Sequence, residues 1–159
     1  MGTGASRPGM GTVLAVAGVL GVLVASFLPW ARSGNASRTS YELVATAQRL
    51  DVVSGPGATL VRGWYLLPVA AAGTWLAATL GRPLLTATLS TLVGSAALGL
   101  VAALRSSGPS LAVAGGTSVA LAAGATALIG AARLMWEHRR SHDGSDARPR
   151  SERPSTRER

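Results

Sequence analysis

Four stretches of this chain run for about twenty residues without an ionisable side chain, and they constrain the fold more than anything else in the sequence. Residues 11–30 read GTVLAVAGVLGVLVASFLPW and residues 63–81 read GWYLLPVAAAGTWLAATLG. Residues 83–104 read PLLTATLSTLVGSAALGLVAAL and residues 111–132 read LAVAGGTSVALAAGATALIGAA. At 1.5 Å of rise per residue, roughly 20 residues cover the ~30 Å of a bilayer's hydrocarbon. A segment in hydrocarbon must satisfy its own backbone hydrogen bonds, which selects helices for runs of this kind. Core helices of a soluble bundle would keep a polar face, and none of the four has one. The predicted fold is all-α: an integral membrane four-helix bundle in a domain 1–132, with an extracytoplasmic loop 31–62 between the first two spans. A cytoplasmic segment 133–159 follows, a juxtamembrane helix that gives way to a disordered basic tail.

The end of the first run decides the topology. Arg7 and the apolar residues 12–28 could form a secretory signal peptide, but the run is longer than an ordinary signal core and no clear small-residue cleavage site follows it. Pro29 stops a helix, and Trp30 suits the level where indoles collect between acyl chains and headgroups. Trp64 and Tyr65 mark the same level where the chain re-enters, and Trp136 the opposite one. These four are the expected interface anchors. With the N-terminus inside, ten arginines fall in cytoplasmic segments and five outside. The bias toward inside arginine places both termini in the cytoplasm of a plasma-membrane protein, with the C-terminal tail dominating the count.

Within the outer loop, Thr39-Ser40-Tyr41-Glu42 has the capping-box pattern, in which Thr39 and Glu42 satisfy each other's backbone donors. Apolar residues at Tyr41, Val44, Ala47 and Leu50 then recur at helical spacing, and Ser54-Gly55-Pro56-Gly57 supplies a turn. A short amphipathic helix is predicted. Its face Tyr41, Val44, Ala47 and Leu50, flanked by Arg38 and Arg49, is the candidate interaction surface; the alternative rests that face on lipid or on the protein's own helices.

Inside the spans, small residues recur every fourth position: Ala87, Thr91, Ser95, Gly99 and Ala103 on the third, Gly116, Ala120 and Gly124 on the fourth, Ala17, Gly21 and Ala25 on the first. Such stripes let helix backbones approach closely. Trp64, Pro68, Ala71 and Trp75 share roughly one face of the second span, either packed on a neighbour or lining a ligand path.

Proton relays and coupled transporters mark themselves with intramembrane ionisable groups, and these spans have none. No catalytic residue and no cofactor are predicted. The chain has no cysteine, and all fifteen basic residues are arginine, so thiol chemistry and a Walker-type phosphate loop are excluded. His138 and His142 stand four apart beside Glu137 and Asp143, yet too few ligands gather there for a metal site. The tail mixes Arg, Ser, Pro and Glu, a composition that does not fold alone. It suits anionic lipid headgroups, and it lacks the interleaved aromatics of a nucleic-acid binder.

The sequence LPWARSG after the first span, RGWYLLP at the re-entry and a tight GRP hairpin resemble small four-span membrane proteins of actinobacteria, of the tryptophan-operon-associated transmembrane type. That resemblance implies a topology; it brings no activity and no functional residues. Three functions remain in view. The first is a non-enzymatic accessory or scaffold subunit of a cell-envelope complex. The second is a small transporter or channel component for an uncharged or lipidic solute, passing along the Trp75 face beside Thr86, Ser90 and Thr91. The third is a membrane-tethered regulator acting through its basic tail.

Overall fold

A computed structural model describes residues 9–33, 36–49, 59, 62–106, 112–113 and 115–146. In chain order these form α1 (Met10–Phe27), β1 (Pro29–Ser33), β2 (Ala36–Thr39), α2 (Ser40–Arg49), a 3-10 turn (Trp64–Leu66), α3 (Leu67–Thr79), α4 (Pro83–Ser106), β3 (Ala112–Val113) and α5 (Gly115–Asp146). Three of the five helices, α1, α4 and α5, are long and apolar enough to cross a membrane. The segment 63–81 is divided instead. Its regular helix, α3, has 13 residues and rises about 20 Å, with the 3-10 turn ahead of it and Pro68 in the first turn, where a missing N–H costs nothing.

Helix α5 is the axis of the bundle. A Cβ at Gly18 of α1 would fall on the backbone of Ala127, and one at Gly130 on the backbone of Ala15. At Gly94 of α4 it would lie 2.9 Å from the Gly124 carbonyl oxygen. Gly116, Ala120 and Gly124, the stripe expected on the fourth span, are all buried, Gly124 at the Gly94 contact. On the third span the stripe winds outward: Ala87 is buried, while Ser95, Gly99 and Ala103 are exposed.

Directions follow from the same contacts. Gly11 meets Leu134 and Gly116 meets Pro29, so α1 and α5 are antiparallel. Ala87 clusters with Ala15, Ala131 and Leu134, which makes α4 parallel to α1. The chain must therefore return between them, and α3 makes that return, with Gly73 against Leu89 across the α3–α4 hairpin. This hairpin is the Gly81-Arg82-Pro83 sequence. Gly81 has φ of +64° and donates to the Ala78 carbonyl at 3.2 Å, while the Arg82 N–H reaches the Ala77 carbonyl at 2.9 Å. That pair of bonds is a Schellman motif, and Pro83 opens α4 directly after it.

A three-stranded sheet in the order β2-β1-β3 closes the opposite end. The sequence reading has no strands, and the first nine residues of its loop (31–39) largely form two of them. Strand β1 pairs antiparallel with β2 (Ala31 with Arg38, Arg32 with Ser37, Ser33 with Ala36) and with β3 (Ala31 with Val113, Arg32 with Ala112). Residues 112–113, counted from sequence as part of a span, are thus strand, and α5 begins at Gly115. Beyond residue 132 the helix continues unbroken to Asp146. Of the tail 146–159, predicted to be disordered, Asp146 closes α5 and residues 147–159 lie outside the described residues, as do Leu50 and the turn 54–57.

Candidate functional site

The most constructed region is the cap at the sheet end. Leu28 leaves the helix with ψ of 159°, as a residue before proline does, and the chain enters β1. The pairing register shifts between Pro29 and Ala31, so Trp30 is the residue of a β-bulge and turns into the bundle. Its indole is 1% exposed and donates to the Ala25 carbonyl at 2.7 Å. Ser40 donates to the Ser26 carbonyl at 2.7 Å and accepts the Trp64 indole N–H at 3.0 Å. The carbonyls of Ala25 and Ser26 belong to the last turn of α1, where backbone donors run short: the Leu28 N–H reaches Ala25 at 3.1 Å, and one indole and one hydroxyl complete the cap, with the Trp64 indole bracing the hydroxyl. The Trp30 and Trp64 rings also meet edge to face, 5.6 Å apart. In this way one buried network fastens α1, the start of α2 and the 3-10 turn to each other.

The sequence predicts Trp30 and Trp64 as anchors facing headgroups. Both are instead buried, Trp64 at 3% exposure, and what they hold is the protein itself. Tyr65 and Trp136 are exposed.

The capping box forms as its pattern requires. The Thr39 N–H donates to Glu42 Oε2 at 2.8 Å and the Glu42 N–H to Thr39 Oγ1 at 3.4 Å. Helix α2 then lays its apolar side on the bundle. Val44 is 2% exposed and belongs to the core cluster that contains Val22, Trp30 and Trp64, with Tyr41 packed against it. Tyr41 also sits between Phe27 (5.5 Å) and Tyr65 (6.0 Å), and its hydroxyl is buried with no hydrogen-bond partner. The candidate interaction face is therefore turned inward at Tyr41 and Val44, where it packs on the cluster that holds both tryptophans. The Ala47 side chain and Leu50 lie outside the described residues. What α2 offers outward is polar: Glu42, Gln48 and Arg49, with Arg38 beside them donating to Thr46 Oγ1 at 3.1 Å.

The proposed Trp75 path does not assemble. Trp64 and Ala71 are buried, but Pro68 and Trp75 are exposed, the latter at 56%, so the four residues do not line one inner face. Thr74 and Thr86 are buried; Thr74 donates to the Ala70 carbonyl in its own helix and Thr86 to the Arg82 carbonyl just ahead of α4, while Thr91 donates to Ala87 within α4. Ser90 Oγ is buried and unpartnered. Among the described residues no group of three or more His, Asp or Glu could hold a metal ion.

Sequence reasoning missed Ser26 and Ser40. A serine in an apolar run and a serine at a helix start are both commonplace, and only the meeting of residues 14 apart gives them a shared task. No protein-family model, curated protein or solved structure matches the chain.

Proposed function

We propose that this chain is a four-span protein of a bacterial plasma membrane, without chemistry of its own, that serves as an accessory or scaffold subunit of a cell-envelope complex. The observation that carries the reading is the combination of apolar helices packed by direct backbone approach with a closed, hydrogen-bonded cap. Such a body presents a fixed surface and spends its polar groups on itself. The fourth span is supported by direction: α1 and α4 run parallel, so the chain has to return between them, and α3 with the 3-10 turn ahead of it lies on that return. Both termini belong on the cytoplasmic side by the arginine count, where the basic segment faces anionic headgroups. The resemblance to small four-span actinobacterial membrane proteins fits the same topology. A protein partner would meet the outward polar side of α2, around Arg38, Glu42 and Arg49, since the apolar side is spent on the bundle.

Extraction of native membranes in mild detergent, followed by size separation, tests the reading. It predicts that the protein migrates in an assembly larger than its own micelle, and that Arg38→Glu with Arg49→Glu releases it at unchanged expression. A protein found only as single chains in undisturbed membranes would contradict it.

A further inference from the structure

The end of the bundle opposite the cap carries an unassigned cluster. Helix α5 rises about 29 Å from Gly115 to Leu134, close to the ~30 Å of hydrocarbon, and Leu134 is its last buried apolar side chain. It then continues without a break. Trp136 stands about 3 Å past that level, and Arg139 and Arg140 about 8–9 Å past it. Headgroups occupy roughly 5–8 Å on each side of the hydrocarbon, so the two guanidinium groups emerge at phosphate depth.

Arg133, Trp136 and Arg140 follow at i, i+3 and i+7 and share one side of the helix. Trp136 is 60% exposed, and the Arg140 guanidinium carbon lies 4.5 Å from its ring centroid. Stacking on the ring holds the guanidinium in place and leaves its N–H edges open, the geometry that takes a phosphate in two parallel bonds. Arg133 donates to Met10 Sδ at 3.4 Å, which fixes it against the start of α1. Arg82, in the α3–α4 hairpin, is exposed at the same end. Among the described residues no ion pair ties any of these arginines to a carboxylate. Glu137 is turned toward Gly9 at the start of α1, and Asp143 falls a turn further from the membrane.

We infer that Arg133, Trp136 and Arg140, with Arg139 beside them, form a binding site for the phosphate of an anionic phospholipid in the leaflet at this end, and that this helical collar rather than the tail 147–159 selects the lipid. The inference rests on the membrane-spanning reading above.

Full-length protein in nanodiscs of equal parts phosphatidylcholine and phosphatidylglycerol, analysed by native mass spectrometry, tests it. The wild type is expected to retain phosphatidylglycerol in preference to phosphatidylcholine. Replacing Arg133, Arg139 and Arg140 by Gln should cut that preference on the order of tenfold or more. Replacing Arg148, Arg150, Arg153, Arg157 and Arg159 by Gln should leave it intact. Equal melting in pure phosphatidylcholine shows that the collar variant is folded; if it is not, Trp136→Leu alone should lower the preference. Loss of preference in the tail variant, its survival in a folded collar variant, or its absence in the wild type overturns the proposal. Release of the protein from membranes by alkaline carbonate would instead overturn the membrane reading beneath it.

Discussion

At the scale of single residues, this protein is held by places where a side chain is missing and by places where one hydroxyl serves two partners. Gly18 is the sharpest of the first kind, since an added methyl would meet the Ala127 backbone, which cannot swing aside as a side chain can. Gly18→Ala should cost about 1–3 kcal/mol through overpacking and lower the melting temperature in detergent, while Gly115→Ala, with open space around it, should leave it unchanged. Ser40 is the second kind. Ser40→Ala leaves the Trp64 N–H and the Ser26 carbonyl without partners in a buried place, a loss of about 1–3 kcal/mol measurable in the same melts. Trp64→Phe should cost less on top of it than it does alone, because the Trp64–Ser40 bond is lost only once, and what remains is the volume and the Trp30 contact of the lost indole. The capping box was legible in sequence because both partners lie within four residues. The burial of Trp30 and Trp64 was not: a tryptophan at the end of an apolar run reads the same whether its indole finds a headgroup or a serine elsewhere in the chain. Here the β-bulge at Trp30 and the position of Ser40 settle it.

At the scale of elements, period and length were readable and pairing was not. The apolar runs announce α1, α4 and α5, and the Tyr41–Val44 spacing announces α2. The strands leave little trace, since β3 has two residues and β1 and β2 only five and four, so no alternation has room to develop, and β1 takes β3 as a partner from far along the chain. The apolar face of α2 was visible as a face, but its occupant depended on where the sheet would hold the helix. With Tyr41 packed between Phe27 and Tyr65, Tyr41→Ala should destabilise the protein by about 3 kcal/mol and reduce its yield. Tyr41→Phe removes only a buried hydroxyl that has no partner, so it should be neutral or mildly stabilising, and Arg49→Ala, at an exposed position, should leave folding alone. Thermal melts of the three purified variants check this order, and a costly Tyr41→Phe would mean that the hydroxyl is in use.

At the scale of the whole molecule, the proposed topology takes the chain across the membrane four times and puts both ends on the cytoplasmic side. The arginine count favours that orientation, and the parallel course of α1 and α4 favours the crossing between them, because a chain that runs twice in one direction has to come back. The natural absence of cysteine makes the measurement clean. Single cysteines at Gln48 and at Ser141, both exposed and on helices at opposite ends of the bundle, can be challenged with a membrane-impermeant maleimide. With this topology Gln48→Cys is labelled on intact cells and Ser141→Cys only after the membrane is opened. Labelling of Ser141→Cys on intact cells, or of both positions on the same side, would contradict it.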